Sequence, residues 1–257
     1  MKSILSLALL ALTICVSNSC QKAKTVELIN SDVRVYLYVT LSPAGQTFQI
    51  HLGTEEIYGC SNYIISNDFT ITDNQIDLNI KGIIKPGFCL TSLGPAIDII
   101  DIEPMEPGNY PFNIRINNNL NQGELIVTPN SYAFSFLDTT QIQFPEKLVN
   151  LVPENTIWGN ISYNLEDSES IANDFIDSLL SIGCEEQVYP SGNYNYFKIK
   201  PDGQIADYEY SISNYHQRYI YHFAGPSTSL ESLVQHYDTT YPGLIDISLI
   251  TFKGEYF

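Results

Sequence analysis

Val33-Arg34-Val35-Tyr36-Leu37-Tyr38-Val39-Thr40-Leu41 decides how the first half of this chain is read. Apolar side chains at the odd positions alternate with polar or amphipathic ones at the even positions, so one face of an extended segment is buried and the other is wet. The same period of two recurs at Thr47–Leu52, Asp68–Thr72, Gln75–Lys81, Ile97–Ile102, Tyr110–Ile116, Glu124–Thr128 and Tyr132–Leu137. Turn signals stand between these runs: Ser42-Pro43-Ala44-Gly45, Thr72-Asp73-Asn74, Pro107-Gly108-Asn109 and Asn117-Asn118-Asn119. No helical period interrupts them.

The pattern changes around Pro145–Pro153, which places a domain boundary there and gives domains at 25–148 and 149–257. Beyond it, Ile157–Tyr163 reads as a strand. Ile171, Phe175, Leu179 and Ile182 share one helical face, with Asp167 or Ser168 to start the helix and Gly183 to end it. Tyr194–Lys200 and Tyr219–Phe223 are further strands. Thr228 and Glu231 form a capping box before Leu230, Leu233, Val234 and Tyr237. Ile245, Ile247, Leu249 and Thr251 alternate in a last strand. The order βαββαβ predicts a C-terminal α+β ferredoxin-like domain with two helices on one side of an antiparallel sheet. Gln204–Ser213 is also strand-like and can add a fifth strand. Seven or eight short strands in the first half predict an N-terminal all-β Ig-like sandwich. The segment Pro107-Gly108-Asn109-Tyr110, leading into two closing strands, resembles the last hairpin of bacterial Ig-like domains, a likeness of fold that carries no function.

The chain opens with Lys2, an apolar run from Ile4 to Val16, then Ser17-Asn18-Ser19-Cys20. A basic start, about a dozen apolar residues and small residues before a cleavage point make a secretory signal peptide over 1–19. A membrane span needs about 20 apolar residues, and this run is shorter. The cysteine after the small residues resembles the lipobox of bacterial lipoproteins, in the relaxed form of those from Bacteroidota. That resemblance implies lipidation of Cys20, a tether over 20–24, and a place in the cell envelope, anchored through the lipid to the outer membrane. The tether reads Gln21-Lys22-Ala23-Lys24 and lacks the acidic residues of a surface-export tag. The same resemblance implies O-glycosylation at Asp-Ser/Thr followed by an aliphatic residue or Thr. Asp138-Thr139-Thr140 and Asp238-Thr239-Thr240 fit in expected loops, so Thr139 and Thr239 are the candidate acceptors; Asp177-Ser178-Leu179 also fits but lies within a helix.

Hydrophobic residues make up 44% of the chain, enough for a core, and the formal charge is −17. Such an acidic surface repels phosphate backbones, so nucleic acid is a poor partner, and anionic membrane surfaces attract it no better. With Cys15 in the signal peptide and Cys20 lipidated, Cys60, Cys89 and Cys184 remain. Export to an oxidising space predicts a Cys60–Cys89 disulfide. Cys184 follows Gly183 at the end of a helix, where burial is the expected fate of a lone thiol.

If the odd residues of Ile157–Tyr163 face the helices, the even ones face away. The open face then carries Trp158, Asn160, Tyr194, Tyr196, Arg218 and His222, together with Ile220 and Phe252, a platform that could stack a sugar or a peptide unless the β-sandwich covers it. His216, His222 and His236 lack metal-ligand spacing. The acids Asp68, Asp73 and Asp77, and Asp202, Asp207 and Glu209, lack a calcium-loop pattern. No nucleophile elbow, phosphate loop or dinucleotide fingerprint is present, and no cofactor is expected. The sequence therefore reads as a non-enzymatic envelope protein that binds a glycan or a protein or takes part in assembly; the alternative is an envelope hydrolase acting through the C-terminal domain.

Overall fold

A computed structural model describes residues 25–163, 168–206 and 215–257. Cys20 and its tether, Asp167, and most of Gln204–Ser213 lie outside the described residues.

The alternating segments form strands, and eleven of them join one sheet: β1 (Val26–Glu27), β2 (Val33–Ser42), β3 (Gly45–Tyr58), β4 (Ile64–Thr72), β5 (Gln75–Ile84), β6 (Gly94–Ile102), β7 (Gly108–Ile116), β8 (Asn119–Thr128), β9 (Ser131–Phe136), β10 (Ile142–Gln143) and β11 (Leu148–Asn150). Their order is β10-β2-β3-β6-β4-β5-β7-β8-β9-β11, and β1 adds to β5 beyond the stretch that pairs with β7. This corrects the Ig-like sandwich, which would keep two separate antiparallel sheets. Here β6 pairs with both β3 and β4, and three pairings are parallel: β10 with β2, β4 with β6, and β5 with β7. Alternation fixes the face a strand buries, not the neighbour it takes.

The mixed sheet curls around one core. Val33, Val35, Leu37 and Val39 of β2 are buried with Ile50 of β3, Ile76 and Leu78 of β5, Ile114 of β7 and Leu125 of β8. Phe48 of β3 stacks on Tyr132 of β9, ring centroids 4.1 Å apart, so strands distant in the sheet order meet. At Gly82 (φ 146°) β5 kinks beneath β1, and a Cβ there would lie 2.2 Å from the Glu27 carbonyl oxygen. Only glycine tolerates that approach.

The register places the connections at two ends. At one end lie the β1–β2 link, the loops 59–63 and 85–93, the Asn117-Asn118 turn and residues 137–141. The opposite end holds the turns Pro43-Ala44, Asp73-Asn74 and Pro129-Asn130. Asp73 and Asn74 both have positive φ, which suits the twist of a two-residue hairpin turn.

The second half comprises β12 (Thr156–Tyr163), α1 (Glu169–Ser181), β13 (Gly192–Asn193), β14 (Lys198–Ile199), β15 (Tyr215–His222), α2 (Ser227–Thr240) and β16 (Ile245–Thr251). Its main sheet has three antiparallel strands in the order β15-β12-β16. Ile157 and Ile161 of β12 and Ile247 and Leu249 of β16 face Phe175 and Leu179 of α1 and Leu230 and Val234 of α2. The ferredoxin-like βαββαβ arrangement is not formed. After α1 the chain makes one bridge, Glu185 to His222, and then leaves the edge of β15. Residues 192–199 fold into the small β13–β14 hairpin instead of a fourth full strand.

The helix ends show how local sequence acts. Gly183 (φ 101°) closes α1: its N–H donates to the Leu180 carbonyl and the Cys184 N–H to that of Leu179, which turns Cys184 inward against Leu179. The Thr228–Glu231 capping box is not made; Pro226 precedes α2, and no capping side-chain bond is present. Glu255 comes from the C-terminal tail to accept a hydrogen bond from Ser227 Oγ at 3.0 Å, bringing negative charge to the start of α2.

Side chains tie the two halves together. The Gln46 amide exchanges two hydrogen bonds with the backbone of Val152, at 2.6 and 3.0 Å. β2 pairs with β10 only at Val33 and Arg34. Further along that edge, Asn195 accepts from the Val39 N–H at 2.8 Å and donates to the Leu37 carbonyl at 3.3 Å, and Tyr196 Oη accepts from the Leu41 N–H at 3.0 Å. These side chains satisfy backbone groups that a neighbouring strand would otherwise take.

Candidate functional site

The six residues expected to make a platform do not share an open surface. Trp158 and Tyr194 are each only 1% exposed. Both lie in a third core with Val152, Tyr189, Phe197 and Ile199; the Trp158 ring is 5.1 Å from Phe197, and Tyr194 stacks on Phe197 at 4.7 Å. Tyr196 is half-buried and held at the β2 edge, and burial raises its phenol above the usual range and pushes that of Tyr194 up to about 12. Asn160 donates to Ser162 Oγ at 2.7 Å and pairs in register with Arg218; Arg218 and His222 are half-buried on β15. Even residues of β12 do face away from the helices. The face is covered because residues 189–199 lie across it, where the sequence placed a strand beside it.

Cys60 and Cys89 form the expected disulfide. Cys184 is buried, and desolvation pushes its thiol up to about 12, so it is no ready nucleophile at neutral pH. Thr139 is exposed in the loop after β9, its hydroxyl donating to the Ile142 carbonyl at 2.8 Å. Thr239 sits in the last turn of α2, not in a loop, and donates to the Gln235 carbonyl at 2.7 Å. Among the described residues, no three His, Cys, Asp or Glu side chains converge as a metal site would require.

Another surface gathers polar and aromatic groups on the outer face of β2, β3 and β6. The register aligns three rows across these strands: Arg34, Gly53 and Ile97; Tyr36, His51 and Ile99; Tyr38, Gln49 and Asp101. Ile97 and Ile99 are about half exposed, at 48% and 50%. Gly53 contributes no side chain, and a Cβ built there would meet nothing within 4 Å. The gap forms part of a groove of about 240 Å³ lined by Arg34, Tyr36, His51, Pro95 and Ile99.

A chain of hydrogen bonds orients the polar side. Gln49 Nε2 donates to Asp101 Oδ1 at 2.7 Å, which leaves Gln49 Oε1 to accept from His51 Nε2 at 2.9 Å. In the neutral ring Nε2 then carries the proton and Nδ1 keeps its lone pair. Burial lowers the His51 pKa below 6.5, against the opposing pull of the Asp101 carboxylate. Tyr38 stacks on the imidazole at 4.5 Å, and Arg34 is drawn to Glu55 at 3.3 Å.

No family model, curated protein or solved structure matches the chain.

The alternation of Ile157–Tyr163 pointed to Trp158, on the face away from the helices, and read Tyr36 and Tyr38 as the wet side of an amphipathic strand. A signal was present in Gln49-Ile50-His51-Leu52-Gly53, whose outward set of amide, imidazole and no side chain differs from ordinary strand surface. Its partner rows on β2 and β6 depend on the register.

Proposed function

We propose that the protein is a non-catalytic binding module of the cell envelope, anchored through a lipid on Cys20, that takes a neutral glycan on the outer face of β2, β3 and β6. The observation that carries this reading is the row Tyr36–His51–Ile99 beside the gap at Gly53. Half-exposed aromatic and aliphatic surface suits the apolar face of a sugar ring. The fixed amide, imidazole and carboxylate of Gln49, His51 and Asp101 offer both donors and acceptors to its hydroxyls. The formal charge of −17 favours a neutral ligand over an acidic one.

A glycan array probed with the mature protein, followed by calorimetric titration of the best ligand, tests the reading. Tyr36→Ala and Gly53→Val are expected to weaken binding at least about tenfold, the loss of roughly 1.4 kcal/mol. Gly53→Val fills the groove at a position without positive φ. Undiminished binding by both variants would place the ligand elsewhere, and an envelope protein captured in a Tyr36-dependent way would replace the glycan with a protein partner. Loss of the acyl mass and of membrane fractionation in Cys20→Ser tests the anchor.

A further inference from the structure

The end of the large sheet from which the N-terminal tether departs is also where bulky apolar side chains project into water. β1 runs antiparallel to β5 with Val26 opposite Ile84, so the chain before Thr25 leaves beside the root of loop 85–93. On that loop Phe88 is 74% and Leu93 76% exposed, with Leu90 at 48%. Leu28 and Leu137, in neighbouring connections at the same end, are 67% and 99% exposed. The opposite end presents Pro43-Ala44, Asp73-Asn74 and Pro129-Asn130.

This apolar crown is held in place. The Cys60–Cys89 disulfide joins loop 85–93 to loop 59–63. The Asn62 amide donates to the Phe88 carbonyl at 2.7 Å and accepts from the Leu90 N–H at 3.3 Å, while Ser92 Oγ donates to Ser61 Oγ at 2.6 Å. A loop fixed on both sides of Phe88 loses little further freedom when that side chain is buried by a partner.

We infer that loop 85–93 is a membrane-contact loop, which sets Phe88, Leu90 and Leu93 into the interfacial layer of the bilayer that holds the chain's own anchor. The inference rests on the lipidation of Cys20 for its geometry. Five tether residues reach at most about 18 Å at 3.3–3.6 Å each, which keeps this end of the sheet close to the lipid surface. The strongly acidic chain opposes close approach of a second copy and favours lipids with neutral headgroups. Phenylalanine and leucine on a fixed loop provide the apolar area that interfacial binding requires.

Depth-dependent fluorescence tests this on the full mature chain reconstituted in phosphatidylcholine vesicles whose acyl chains carry bromine. Phe88→Trp is compared with Val188→Trp, a site 92% exposed in the second half. Buried Trp158 is a background common to both. Emission from Phe88→Trp is expected to shift to the blue and be quenched by the brominated chains, while Val188→Trp is unaffected. Flotation of the protein with vesicles without quenching at position 88 overturns the inference and leaves the anchor intact. Intact mass, with or without the acyl increment, judges Cys20 separately. A blue shift that appears without vesicles and grows with protein concentration also overturns it, because a second copy then covers the loop.

Discussion

At the scale of single residues, His51 shows how a surface imidazole is set by its neighbours. Its Nε2–H is committed to Gln49, and Tyr38 covers one side of the ring, so the charged form is poorly solvated. The folded pKa lies below 6.5. For a histidine lowered in this way, the unfolded chain takes up the proton first as the pH falls. The stabilisation is therefore present above the unfolded value and lost as the pH drops through the folded one. A proton-detected titration is expected to place the His51 midpoint below 6.5, and His51→Gln should flatten the fall in Tm on acidification below that pH. A midpoint above 6.5 would mean that Asp101 outweighs desolvation. Cys184 reflects another local rule: at the glycine-closed end of α1 its N–H donates to the Leu179 carbonyl, and its side chain is buried in the same core as Leu179.

At the scale of elements, the Cys60–Cys89 bond links the ends of strands that pair in the middle of the sheet. Its 29-residue separation predicts a loss of about 3–4 kcal/mol on Cys60→Ser/Cys89→Ser by the chain-entropy argument. Urea unfolding measures it, with a somewhat larger m-value expected because the denatured chain, freed of the cross-link, exposes more surface. Amide exchange should quicken most in 85–93, where only the side-chain bonds of Asn62 and the Ser92–Ser61 contact would be left to join the loop to 59–63. Much at this scale is legible in the sequence. The odd residues of Val33–Leu41 point into the core from Val33 to Val39, and those of β12 face the helices, as period two requires. Strand neighbours are not legible, because β6 joins β4 through one register pair, Ile64 with Ile97, and no local pattern marks that contact. Nor does Tyr194–Lys200 reveal its turn: the segment alternates like a strand, yet Asn195 adopts φ 65° and breaks it. That single conformation brings Tyr194 and Phe197 down on Trp158 and removes the expected platform.

At the scale of the whole molecule, the second half is fastened to the end of the sheet away from loop 85–93, through Gln46, Asn195 and Tyr196. Asn195→Ala removes two bonds to the β2 edge and places alanine at a positive φ. The expected destabilisation is on the order of 2–4 kcal/mol, combining unsatisfied backbone groups with the strained conformation. Differential scanning calorimetry tests whether the halves act as one unit: a single transition in the native chain is expected to split or broaden in the variant. A variant that melts as one sharp transition at the native temperature would show that Gln46 and Tyr196 suffice.

The residue that completes the edge of β2 follows it by 156 positions. At about 5–20 residues added per second, β2 would exist for roughly 8–30 s before Asn195 is even synthesised. During that interval the carbonyl of Leu37 and the amide of Val39 are open to strands of other nascent chains. Nonsense or frameshift products ending before 195 would keep that opening permanently, and are expected to accumulate in inclusion bodies rather than as a soluble N-terminal fragment.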